Sequence, residues 1–264
     1  MIVSNIIAIA QKELQSYFAS PFAYIVAAFF WFISGFFFVE ILIGKQGIIQ
    51  QVILREQTGV NLSSVDVATE FIASYFAILG TLSLLIIPLL SMGLYAEEKR
   101  QGTLELLATS PITNWAVAVG KLIAVTLLFV FLLLPSFLYE AIAFSAAQPT
   151  LSPAIPLIAH LGLIMMVMAL LSIGMFISSL TNSSILAAIL TFTTILFLWI
   201  IDLVSSNFNG QISKVLEHIS ILESYNSFVK GSINTSDFIL FFSYIFLGLF
   251  LTSQSIELLR LNRQ

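Results

Sequence analysis

Long apolar runs with no two-residue alternation dominate the chain, broken by short polar clusters. Stretches free of Asp, Glu, Lys and Arg cover Leu14–Val39, Phe71–Ala96, Leu122–Tyr139, Leu161–Ile201 and Phe238–Ile256. A helix needs about 20 mostly apolar residues to cross a bilayer core, so most of these runs hold one crossing each. Leu161–Ile201 is 41 residues long, too long for one crossing. Its polar interruption, Ser178-Ser179-Leu180-Thr181-Asn182-Ser183-Ser184, divides it into a tight hairpin of two. Backbone polar groups cannot stay unpaired in lipid, and the missing alternation excludes a barrel. The pattern therefore predicts an all-α polytopic integral membrane protein. Its six transmembrane helices are expected at about 22–43, 69–95, 116–144, 157–178, 184–204 and 237–257, within one domain covering 1–264.

Helical periodicity extends beyond the spans. Val3, Ile6, Ile7, Ala10, Leu14, Tyr17 and Phe18 recur on one face, with Asn5, Gln11, Lys12, Gln15 and Ser16 opposite. Residues 1–20 are thus expected to form an amphipathic helix in the membrane interface. Ser20-Pro21 ends it, because a residue before proline avoids the α region. A second apolar stripe, Ile212, Val215, Leu216, Ile219 and Leu222, faces Lys214, Glu217, His218 and Glu223. It lies in a loop at 205–236, read as a lid packed on the helix ends. Pro88 and Pro135 fall inside the second and third spans. Each removes a backbone donor and kinks its helix, either as a hinge or to shape the bundle.

The stretch from Tyr95 to Lys121 differs from everything around it. Glu97, Glu98, Lys99 and Arg100 lead to Gly102, which breaks the preceding helix, and to Thr103, a candidate N-cap. Glu105 sits in the next first turn, where a carboxylate favours the positive end of the helix dipole. Leu104, Leu107 and Ala108 share one face, and Ser110-Pro111 stops the helix after two turns. A helix of this length is marginal alone and needs a membrane surface or a groove on another protein.

Composition agrees with the spans. Hydrophobic residues make up 59% and charged residues 9%, with mean hydropathy +1.03. A soluble domain carries about 25% charged residues. The net charge of −4 and the lack of a basic block leave no surface suited to nucleic acid. Cysteine is absent, which excludes disulfides and thiol catalysis. No cleavable signal is expected, since the first residues lack a basic region before a short apolar core. With both ends in the cytoplasm, Lys12, Lys99, Arg100, Lys121, Arg260 and Arg263 lie inside, against Lys45, Arg55, Lys214 and Lys230 outside. That is a weak positive-inside bias.

Candidate chemistry is sparse. Glu40, Asp66, Glu70, Glu140, Asp202 and Asp237, with His160 near them, gather toward the outer side and read as charges marking helix ends. The sharper alternative is a cation vestibule. The bilayer midplane is nearly charge-free, which argues against a proton- or sodium-coupled carrier. Met165, Met166 and Met168 read as flexible core filling. Gly120-Lys121 lacks the earlier glycine and following hydroxyl of a phosphate-binding loop, so ATP hydrolysis is not expected in this chain. A Glu-Glu-x-x-x-Arg protease element starting at Glu97 requires Arg where Gly102 stands.

The same central stretch, Glu98-Lys99-Arg100-Gln101-Gly102-Thr103-Leu104-Glu105-Leu106-Leu107, then Pro111, then Gly120-Lys121, resembles the cytoplasmic loop of ABC-2-type transporter permeases. The resemblance implies a coupling helix at about 98–111 that docks on a separate ATP-binding subunit, with ATP and Mg held there. It assigns Glu97, Glu98 and Arg100 to the approach, Gly102, Thr103 and Glu105 to the start, and Leu106, Leu107 and Pro111 to the end. Leu104 and Leu107 are expected to fill an apolar groove on the ATPase, and Glu98 and Glu105 to meet basic residues there. It also implies a second permease copy or sister chain, export, and a prokaryotic inner membrane with both termini cytoplasmic. A narrower likeness runs through His218-Ile219-Ser220 and Ser227–Asp237, which resemble the gliding-motility-associated permease subgroup. The reading from another class is a membrane scaffold of the same topology that moves no solute. Replacing Glu105 and Leu107 together is expected to uncouple ATP hydrolysis from transport while insertion persists. Unchanged coupled transport in membrane vesicles refutes the assignment.

Overall fold

The computed structural model describes residues 2–58, 67–104, 112–145, 152–205 and 219–261. The described helices are α1 (Ile2–Ala19), α2 (Pro21–Ile43), α3 (Ile48–Thr58), α4 (Val67–Ser91) and α5 (Ala96–Gln101). They continue with α6 (Asn114–Ser145), α7 (Ala154–Leu180), α8 (Ser184–Ser205), α9 (Ile221–Val229) and α10 (Thr235–Leu261). Six helical segments are long and apolar enough to cross a membrane, so the chain is an all-helical, multi-pass membrane protein. The α1–α2 break is local chemistry. Ser20 is extended and its hydroxyl accepts from the Phe22 N–H, while Pro21 opens α2 where its missing N–H costs nothing.

Helix α7 forms the middle of the bundle, packed against α4, α6, α8, α9 and α10. Lipid gives helices no hydrophobic reason to associate, so close backbone approach through small residues matters. A Cβ at Gly248 of α10 would lie 2.4 Å from Ser172 Oγ and 2.6 Å from the Ser172 carbonyl carbon of α7. The Ser172 hydroxyl donates to Ala169 O and reaches Tyr244 O of α10 at 3.1 Å. On the other flank, a Cβ at Gly162 would lie 2.3 Å from Phe228 Cβ of α9. Met165 and Met166 are buried in this same α7 core. Helices α2 and α8 are the least covered spans, leaving Ile25, Phe32, Ile185 and Phe197 exposed.

Residues 206–218, which hold most of the expected lid stripe, lie outside the described residues. The segment after them, from Ser220 through α9, sits deeper than a lid. Ser220 caps α9 through the Glu223 N–H and donates to the Asp202 carboxylate. Ile221, Tyr225, Phe228 and Val229 are buried, and Tyr225 donates to Phe76 O at 2.6 Å inside the bundle. The apolar face of α9 is hidden in the sequence by Ser224, Asn226 and Ser227. Ser224 is satisfied by Asp237 at 3.0 Å, which lets it go inward.

Overpacking the α7–α10 contact tests this arrangement. Gly248→Leu is expected to cost about 1–3 kcal/mol, because Ser172 backbone cannot yield. Thermal unfolding in detergent measures it, and an unchanged midpoint contradicts the close approach.

Candidate functional site

At one end of the bundle α1, α5 and α6 meet around a single ammonium. The Lys121 side chain is 2% exposed, near the start of a mostly apolar helix. Its Nζ donates to Glu13 Oε1 of α1 at 3.0 Å and to Glu98 Oε1 of α5 at 2.9 Å. The Tyr95 ring lies beneath it, 5.1 Å from Nζ to the centroid. Gly120 makes this geometry possible. A Cβ there would stand 2.8 Å from Ile9 Cγ2 and 3.1 Å from Ile6 O, so only glycine lets α1 lie on α6 closely enough to deliver Glu13. Burial raises the Tyr17 hydroxyl above its ordinary pKa, and the carboxylates of Glu13 and Glu98 raise it further.

Helix α5 is gripped from the opposite side by the α7–α8 turn. The Ser178 hydroxyl accepts from the Tyr95 and Ala96 N–H groups at 3.1 Å each and donates to Met92 O at 2.9 Å. It thereby caps a helix start whose own cap residue, Tyr95, supplies no side-chain bond. Lys99 Nζ donates to Ser179 O at 3.3 Å, and partial burial lowers the Lys99 pKa. Glu97 accepts from Arg100, from Gln101 at 2.7 Å and from Ser184 at 3.4 Å. The bonds from Arg100 and then Gln101 hold its carboxyl below the usual range. The arrangement joins a short helix to α1, α6, α7 and α8.

The structure places the sequence-predicted residues unevenly. Glu97, Glu98 and Arg100 lie on α5, which ends at Gly102 in the left-handed region at φ 72°. The Thr103 hydroxyl donates back to Glu98 O at 3.2 Å, so it serves the end of α5. Glu105, Leu106, Leu107 and Pro111 lie outside the described residues. One expected role needs correction. Leu104 is 5% exposed and packs into this chain's own core, so it is not free to fill a groove on a partner. Glu98 gives one oxygen to Lys121 of its own chain, and its Oε2 has no hydrogen-bond partner. A short apolar stripe looks the same whether its groove is internal or external, which is why the sequence misassigned Leu104.

Pro88 and Pro135 lie inside α4 and α6. The turn loosened by Pro135 is tied down, since Trp31 Nε1 of α2 donates to Leu132 O at 3.0 Å. Glu140 and His160 differ from the expectation of interfacial charges. Both are buried, their side chains 3.5 Å apart, with Ser136 Oγ 2.9 Å from His160 Nε2 and the Phe137 ring stacked on the imidazole at 4.0 Å. Glu13, Tyr95 and Ser178 carried no sequence assignment. The available signal was Lys121 itself, a lone cation before a long charge-free run, which requires a counter-charge somewhere.

Removing that cation should leave two carboxylates crowded in a poorly hydrated site. Lys121→Met is expected to destabilise the protein by about 3–5 kcal/mol, since breaking a buried pair strands the other charge. Adding Glu13→Gln and Glu98→Gln should recover more than half of the lost melting temperature in detergent. Equal losses in the single and triple variants would show that the charges do not act as a unit.

A sequence comparison with curated proteins finds no match. The family model described as "ABC-2 family transporter protein" matches residues 7–259, which include most of α1, the junction around Lys121 and every candidate span. Members of this family are membrane components of transporters, normally without catalytic activity of their own, and associate with ATPase subunits. The chain belongs to the ABC-2 family of transporter membrane proteins.

Proposed function

We propose that this chain is the permease subunit of an ATP-driven exporter, forming the membrane path and receiving its drive from separate cytoplasmic ATPases that bind ATP and Mg. One observation carries the reading: the exposed face of α5 is rigidly tied, through Lys121, to both the interfacial helix and a transmembrane helix. Arg100 remains 64% exposed on α5, and residues 105–111 follow directly. A displacement imposed there by a partner would reach α1 and α6 together. The corrected docking surface is Glu97, Arg100 and 105–111, with Leu104 and Glu98 acting inside this chain. Two copies, or one copy and a sister chain, would form the path, and the weakly covered α2 and α8 offer surface for that contact or for lipid. The termini are assigned to the cytoplasm of a prokaryotic inner membrane, on the side of the ATPase. The subgroup likeness rests on residues 218–237 alone, and the family match extends to the family, not to gliding motility.

The test is reconstitution with candidate ABC ATPase subunits from the same organism. Co-purification and stimulated ATP hydrolysis are expected. Replacing residues 105–111 by a glycine–serine linker of equal length should abolish stimulation while the Lys121 junction stays intact. A folded chain that neither binds nor stimulates an ATPase favours the scaffold reading.

A further inference from the structure

A cavity of about 640 Å³ opens beside the junction, walled by α1, α2, the end of α4, α5 and α6. Its two ends differ in chemistry. Near the junction it is lined by Lys12, Glu13, Ser16, Tyr17, Glu97 and Glu98. Farther in, the wall is Phe22, Val26, Leu90, Leu128 and Leu132. Leu132 lies eleven residues beyond Lys121 on one helix, a rise of about 16 Å at 1.5 Å per residue. That is roughly half of a ~30 Å hydrocarbon core, the depth of one leaflet. Leu132 O, at this depth, accepts from the Trp31 indole of α2.

The polar end has unused acceptor capacity. Glu98 Oε2 is buried without a hydrogen-bond partner, as is the Tyr17 hydroxyl. A carboxylate only accepts, so Oε2 calls for a donor. Glu97 is already engaged by Arg100, Gln101 and Ser184. The lining places Glu13, Glu97 and Glu98 beside the ammoniums of Lys12 and Lys121, and Arg100 already pairs with Glu97. An N–H donor at Oε2 would supply the missing bond, charge-assisted where the donor is an ammonium, and Lys12 lines the same end for an anionic group on the same ligand. An apolar slot one leaflet deep below such a head site suits a hydrocarbon chain.

We propose that this cavity is a binding site for an amphiphile with a primary ammonium head, its chain lying along α2 and α6. Such a ligand would come from an aminophospholipid of the adjoining leaflet or from a single-chain amine reaching the site from water. The site lies beside the Lys121 junction, so occupancy would stiffen the joint between α1 and α5. This goes beyond the transport reading and requires only that the chain sits in a bilayer.

The experiment uses the full chain in detergent, equilibrated with phosphatidylethanolamine or phosphatidylcholine of identical chains and read by native mass spectrometry. Both head groups carry positive charge, and only the first has N–H donors. Phosphatidylethanolamine should be retained about tenfold better, the scale of one charge-assisted hydrogen bond. Gly93 lines the cavity, and a Cβ there meets nothing within 4 Å, so Gly93→Trp starts its side chain in open space beside the slot. That variant should drop retention to the phosphatidylcholine level with an unchanged elution profile. Ser16→Trp, from the α1 wall, does the same should Gly93→Trp fail to fold. Displacement of the lipid by dodecylamine assigns the site to ammonium amphiphiles generally; retention against dodecylamine assigns it to the two-chain lipid. Equal retention of both lipids, or full retention in folded Gly93→Trp and Ser16→Trp, overturns the proposal.

Discussion

A cation buried at the end of a membrane helix must be neutralised where it stands, and the Lys121 ammonium draws one carboxylate from each of two elements. Charges near lipid are costly when unpaired. Removing either α1 or α5 from its position would therefore leave a carboxylate or the ammonium inadequately compensated. That constraint converts an amphipathic N-terminal segment, which composition alone would allow to float in the interface, into a fixed part of the bundle. Gly120 and Lys121 have complementary roles in this, since glycine admits the backbone of α1 and lysine holds the side chain that arrives with it.

The second grip on α5 is neutral. Ser178 uses two acceptor sites and its one proton on three backbone groups of the segment from Met92 to Ala96. Such a hydroxyl has no spare capacity and fixes the approach to α5 relative to α7. Because α7 packs on α4, α6, α8, α9 and α10, motion of α5 is communicated to the bundle's centre as well as to its edge. The close contacts at Gly162 and Gly248 make α7 stiff enough for that communication, since small-residue interfaces leave little room to slide.

Much of this fold was legible as pattern and little of it as pairing. Charge-free runs of membrane length indicate six crossing helices because lipid enforces that length and forbids unpaired backbone. The polar interruption at 178–184 likewise reads as a turn. Periodicity reports which face of a helix is apolar, not what covers it. Leu104 looked like a partner-facing residue for this reason and proves to be internal. The Lys121 site joins residues 108 and 23 positions apart, and one sequence holds no trace of which distant carboxylate meets which lysine. Helix α9 was harder still, since Ser224 is polar by type and becomes a core residue only once Asp237 accepts its proton.

The two ends of the bundle are built differently, and the difference bears on how it could move. The end holding α9 is closed by short hydrogen bonds to side chains and backbone: Tyr225 to Phe76 O, Ser224 to Asp237, and Ser220 to Asp202. The junction end keeps Glu98 Oε2 and the Tyr17 hydroxyl unpartnered beside a cavity. Unsatisfied buried groups favour any rearrangement that supplies partners. Glu140 Oε1 and the Tyr75 hydroxyl are also buried without partners, but among the described residues only the junction has a cavity beside it, and there Lys121 carries α1 and α6 along with α5. Trp31 strengthens this asymmetry. By bonding to Leu132 O in the turn that Pro135 loosens, it makes α2 and α6 bend as a pair. A push on α5 would then appear as a joint tilt of α2 and α6 rather than as free flexing at the proline.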